Sequence, residues 1–123
     1  MLVVDDDAAF TRALQTVLAA DGTVEVVGVA RDGVEALELS KRLHPDVMLL
    51  DLEMPRMDGF QVLRTLKRRT RRPVVIILTG LMAQEDLARA ERLGPDGLVQ
   101  KSVDIEAMIP VIVLTFALAR REG

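Results

Sequence analysis

Chemically active residues stand directly after four of the strand-like runs in this chain. Asp5, Asp6 and Asp7 follow Leu-Val-Val, Asp51 follows Val-Met-Leu-Leu, Thr79 follows Val-Val-Ile-Ile-Leu, and Lys101 follows Leu-Val-Gln. Taken singly, each is ordinary. An aspartate run caps a helix, Asp51 makes a turn before Met54-Pro55, a threonine ends a strand, and a lysine lies on a surface. Brought together, they make a site. Packed carboxylates are costly unless a cation neutralises them. An all-oxygen cluster suits a hard ion, Mg2+ above all. A carboxylate facing that ion can attack phosphorus and form an aspartyl phosphate. The ion, an ammonium and a hydroxyl then hold the three phosphoryl oxygens over which transition-state charge spreads.

The elements that must position these groups alternate. Five short runs, LVV, VEVVGV, DVMLL, PVVIIL and GLVQ, read as strands, with helix-like segments between them. Phe10, Leu14, Val17 and Leu18 fall at helical spacing, with Asp7 as N-cap and Asp21-Gly22 as the stop. Ala36, Leu39 and Leu43 mark a second helix, from Asp32 to His44-Pro45. Phe60, Leu63 and Leu66 mark a third, closed by the basic run Lys67 to Arg72, which suits the negative end of a helix. A fourth covers roughly Gln84 to Leu93, and a fifth runs from near Asp104 to the end. Five βα units argue for a parallel sheet covered on both faces. Ligands of such sheets bind beyond the carboxyl ends of the strands, where these residues lie.

Composition narrows the function classes. The chain has 123 residues, which suits one domain over 1–123, and half of them are hydrophobic. Aromatics are three Phe, so the core rests on Val, Leu, Ile, Ala and Met. A net charge of −3 gives no case for nucleic acid or membrane. The absence of cysteine removes disulfides and thiolate metal sites. No signal peptide is seen, and the longest apolar run, Met108 to Ala119, falls short of the ~20 residues of a membrane span. These features suggest a cytoplasmic protein. No Gly-rich phosphate loop is present, which excludes P-loop and dinucleotide enzymes.

With LVVDDD, GVARDGVEAL, DVMLLDLEMPRMDGF, VVIILTG and DGLVQKS in place, the whole chain resembles the receiver domain of bacterial two-component response regulators. The resemblance implies a flavodoxin-like (βα)5 three-layer sandwich with strand order 2-1-3-4-5. It implies that Asp51 accepts phosphate from a sensor histidine kinase or phosphotransfer protein. It implies Mg2+ as cofactor, with Mn2+ able to substitute. Asp6 and Asp51 would ligate the ion directly, Asp5 through water, and Glu53 through its backbone carbonyl. Thr79 and Lys101 would bind the phosphoryl group, Thr79 shifting on activation. Such a domain catalyses only its own phosphorylation and dephosphorylation, and no output domain is expected within these residues. Asp7 is left to cap the first helix, Pro55 to stiffen the turn, and Gly59 to allow close packing or backbone freedom.

Three positions depart from the commonest family pattern. Leu98 occupies the place of a switching aromatic. Ser102 follows Lys101 where a cis proline is common; a cis bond before Ser costs about 2.5–4 kcal/mol, against about 0.5–1 before Pro. Glu53 places a further carboxylate at the mouth of the site, where it and Leu81 are expected to tune the lifetime of the phosphoryl group. In the last helix, Ile105, Ile109, Ile112 and Phe116 form one apolar stripe, and Met108, Val111, Leu114 and Leu118 a second, with Val113 beside it. A helix with one buried face needs only the first. The second is read as an interface for a homodimer or protein partner, within a switching surface of the fourth helix, fifth strand and fifth helix. Pro110 interrupts the backbone bonding of that helix if interior. Two other functions compete: a constitutive interaction domain that is never phosphorylated, and a Mg2+-dependent phosphohydrolase using Asp51.

Overall fold

The computed structural model describes residues 1–54, 57–80, 84–101 and 104–122. Five strands, β1 (Leu2–Val4), β2 (Gly28–Ala30), β3 (Val47–Asp51), β4 (Val74–Thr79) and β5 (Gly97–Gln100), form one parallel sheet in the order β2-β1-β3-β4-β5. Between and after them run α1 (Ala8–Asp21), α2 (Gly33–Leu43), α3 (Gly59–Lys67), α4 (Gln84–Arg92) and α5 (Ile105–Glu122). The expected flavodoxin-like order is observed.

Strand side chains alternate between faces, and here the alternation divides the core in two. Leu2, Val4, Met48, Leu50, Val75 and Ile77 pack with Val62, Leu63 and Leu66 of α3 and Ala36 of α2. Met1, Val3, Leu49, Ile76 and Leu78 pack with Leu14 and Leu18 of α1 and Met108, Ile109 and Ile112 of α5. Every residue of β1, β3 and β4 is buried, as doubly covered strands require.

The helix ends follow local chemistry. Asp7 accepts from Phe10 N, and Asp32 from Glu35 N, as N-caps. Asp58 and Gln61 form a reciprocal capping box on α3. Gly22 ends α1 with φ 81°, a left-handed conformation that favours glycine. His44 ends α2 with φ 48°.

Three expectations are corrected. The second strand is shorter than VEVVGV: Val24 and Val26 pack against the core outside the strand. The basic run closes α3 only through its first two members. That helix stops at Lys67 with Arg68 as its cap, so Arg69, Arg71 and Arg72 lie in the following loop. Met108 belongs to the core and not to an exposed stripe, being fully buried, because it stands three residues after Ile105 and four before Ile112 on the inner face. Val111, Val113, Leu114 and Leu118 are exposed as expected, Leu114 most at 60%. Pro110 is interior to α5, which continues through it. Pro55, Leu81 and the Lys101–Ser102 bond lie outside the described residues.

Candidate functional site

Sheet geometry explains why the separated residues meet. Asp5 has the parity of Val3, Asp51 that of Leu49, and Lys101 that of Val99, all members of the core face covered by α1 and α5. The ladders carry each residue to that edge. Asp5 N donates to Ala30 O at 2.9 Å, and Lys101 N donates to Thr79 O at 2.7 Å, each continuing a strand pairing by one step. Asp51 is itself the last residue of β3 and pairs with Leu78.

Asp5 and Asp51 are then held in the same way. One oxygen of Asp5 accepts the backbone N–H of Asp7 at 2.9 Å, and one oxygen of Asp51 accepts that of Glu53 at 3.0 Å. Each carboxylate thus locks a turn through the amide two residues on. Each leaves its second oxygen free to face the ammonium of Lys101, at 2.7 Å from Asp5 and 3.4 Å from Asp51. Both aspartates are buried, whereas Asp6 is exposed. Oxygens of Asp5, Asp6 and Asp51 lie within 4.8 Å of one another, the one such acidic cluster among the described residues.

Three carboxylates against one ammonium leave negative charge in excess. The Asp51 carboxyl is raised from its ordinary value to about 6: burial is the largest cause and the Asp5 charge adds to it, against the opposing pull of the Glu53 N–H and Lys101. For Lys101, burial works against the charged form, but Asp5 and Asp51 outweigh it and raise its pKa. A hard dication among these oxygens would remove the excess, so the donor set fits Mg2+. The surrounding cleft, about 320 Å³, is lined by Asp6, Asp51, Glu53, Gly80 and Lys101 among others.

Thr79 sits at the same edge with the opposite parity, buried, its hydroxyl donating to Val99 O at 3.4 Å. Glu53 is exposed at the rim. Leu98, 36% exposed, lies on β5 away from the carboxylates, opposite Ile77. Gly59 supports the site from behind. Its N–H bonds Leu52 O at 3.0 Å, and a side-chain carbon there would collide with the backbone of Asp51 and Leu52. Close packing is therefore its role.

Phe10 was legible only as a core residue, yet its ring lies 4.9 Å from Lys101 Nζ and flanks that ammonium with a cation–π contact. The signal available was an aromatic in the first turn of the helix that follows the acidic run.

Comparisons with known proteins bear on the family and the fold. The response regulator receiver domain family matches residues 1–113. The receiver domain of the response regulator NarL from Mycobacterium tuberculosis superposes with a TM-score of 0.87 at 31% identity, covering 94% of both chains. The receiver domain of AraT from Geobacillus stearothermophilus gives 0.84 at 30% identity, covering 98% of this chain and 95% of its own. Among curated proteins, a protein-glutamate methylesterase/protein-glutamine glutaminase of Pyrococcus horikoshii is 44% identical over 85 residues, 69% of this chain. One from Halalkalibacterium halodurans is 37% identical over 119 residues, 92% of this chain. The matches span 23% and 34% of those two proteins. No helix among the described residues is long and apolar enough to cross a membrane. The chain belongs to the response regulator receiver domain family, the phosphorelay switches of two-component signalling.

Proposed function

We propose that Asp51 is the phospho-acceptor of this receiver. The observation that carries the reading is the placement of its second oxygen, which faces the Lys101 ammonium while Glu53 N–H holds the first. That oxygen attacks the phosphorus of a phosphohistidine on a kinase or phosphotransfer protein. The new O–P bond forms as the N–P bond breaks, and the leaving imidazole takes a proton. Asp5, Asp6 and Asp51, whose oxygens lie within 4.8 Å of one another, would hold Mg2+ together with the Glu53 carbonyl. Bound there, Mg2+ would supply positive charge against the carboxylates and the phosphoryl oxygens. Lys101 binds one phosphoryl oxygen and the Thr79 hydroxyl another, the latter exchanging its contact with Val99 O for the phosphate.

Leu98 has no ring to swing, so the switch runs through Thr79. Its output surface includes Val111, Leu114 and Leu118 of α5, which serve a homodimer or a protein partner. The acidic edge does not itself constitute an esterase; the chain is the switching unit, and a methylesterase activity like that named for its relatives is one output it could control.

The test is incubation with Mg2+ and a small acyl phosphate, followed by intact mass. One acid-stable, base-labile phosphate is expected, and it should be absent from Asp51→Asn. Continuous hydrolysis of many phosphoesters would favour a phosphohydrolase, and no phosphorylation under any condition a constitutive interaction domain.

A further inference from the structure

The opposite end of the sheet carries a cleft that phosphorylation chemistry does not use. It has a volume of about 620 Å³ and lies where the end of α2, the α3–β4 loop and the last turns of α5 meet. Its lining includes Lys41, Arg69, Arg71, Arg72 and Arg120, against a single carboxylate, Asp46. In a chain whose net charge is −3, this is a strong local reversal.

Helix termini account for Lys41, in the last turn of α2, and for Arg72, which reaches the last carbonyl of α3, but not for Arg69 and Arg71. The last turn of α3 already has Arg64 and Lys67, and that of α2 has Arg42 beside Lys41. Arg69, Arg71 and Arg72 stand beyond the α3 cap. Asp46 is engaged by Arg120 at 3.2 Å, which ties α5 to the rim. Arg72 donates to Lys67 O at 3.0 Å, which fixes the loop. Lys41, Arg69 and Arg71 make no ion pair among the described residues. The walls are firm: Pro45 and Pro73 are buried, and Val74 N donates to Asp46 O at 2.9 Å.

We propose that this cleft binds a compact anion carrying two or more phosphoryl groups. Guanidinium groups match phosphate oxygens in a planar fork, and those of Arg69 and Arg71 are uncommitted. The volume exceeds the needs of one phosphate, and the cations come from three separate elements, α2, the α3–β4 loop and α5. The site is concave, and its lining holds no Phe, Tyr or Trp and a single imidazole, His44, which favours a phosphate chain over the successive stacked bases of a nucleic-acid strand. The shared chemistry is a pyrophosphate group, from an inorganic chain or a nucleoside diphosphate.

The experiment is calorimetric titration of the full chain in metal-free, low-salt buffer with sodium pyrophosphate and, separately, ADP. One saturable site is expected, weakened by added salt. Affinity should fall about tenfold or more in the double variant Arg69→Gln, Arg71→Gln, whose thermal melt should match the parent. Asp51→Asn should bind pyrophosphate as the parent does. Equal binding of pyrophosphate and ADP supports an inorganic source, and tighter ADP a nucleotide; both uphold the site. Absence of saturable binding, unchanged affinity in the double variant, loss of binding in Asp51→Asn, or tighter binding of a single-stranded oligonucleotide at equal phosphate concentration would overturn it.

Discussion

The two ends of the sheet carry opposite charge, and they hold it differently. At the carboxyl edge, Asp5 and Asp51 are buried, each clamped by a backbone amide, and both face one lysine. At the other edge, the cations sit on loops and helix ends, and the Arg120–Asp46 pair keeps much of both side chains in water, 57% and 75% exposed. Buried, constrained charge is available for chemistry and carries an energetic penalty until it is neutralised. Exposed charge is nearly neutral for stability and free to meet a ligand. The contrast can be broken from either end.

The largest effect is expected at the carboxyl edge. Lys101→Met should slow phosphorylation by a small phosphodonor by about 10²–10³, the scale for losing one group that stabilises developing charge. A loss under threefold would show that Lys101 serves only the Asp5 ion pair. Next comes Gly59→Ala, which forces a methyl against the backbone of Asp51 and Leu52. It should lower stability by about 1–3 kcal/mol in urea unfolding. An unchanged midpoint would mean that the loop yields freely.

The penalty itself is readable by pH. The Asp51 carboxyl titrates near 6 when folded, above its ordinary 3.8. Between these values the native state holds more protons than the unfolded chain, so unfolding free energy falls as pH rises. The stabilising share of this group is complete below the lower value and lost through the upper one. Metal-free protein should therefore lose stability across that window, and Asp51→Asn should flatten the loss. Added Mg2+ should restore stability above pH 6, and Asp6→Ala should abolish that gain. A Mg2+ response that survives Asp6→Ala would place the ion elsewhere.

At the basic end, Arg120→Gln should shift stability by under about 0.5 kcal/mol, as exposed pairs do. A larger change by thermal melt would mean that the Asp46 contact is structural. Glu53→Ala should leave stability alone and alter only the rate of dephosphorylation; equal rates would remove its tuning role.

Much of this contrast was legible in the sequence. Asp5, Asp51, Thr79 and Lys101 each stand at the end of a strand run, and the strand-end rule alone brings them together. Asp7, Asp32 and Gly22 announced their caps, because capping depends on local chemistry. What local chemistry does not carry was harder to read. The spacing of α5 assigns Met108 to its second apolar stripe, and only packing against the sheet shows that it joins the first. The α3 stop at Lys67 depends on where the chain must turn back toward β4, so the basic run looked helical when most of it is loop. Phe10 meets Lys101 across 91 positions of sequence, a contact that helical spacing alone does not reveal.

The central claim is that Asp51, and no neighbouring carboxylate, takes the phosphate. Borohydride reduction converts an aspartyl phosphate to homoserine, which tandem mass spectrometry assigns to one residue. After phosphorylation with Mg2+ and a small acyl phosphate, homoserine at position 51 alone is the predicted result. Homoserine at position 5, 6 or 53, or none in a protein that has gained phosphate mass, would contradict it.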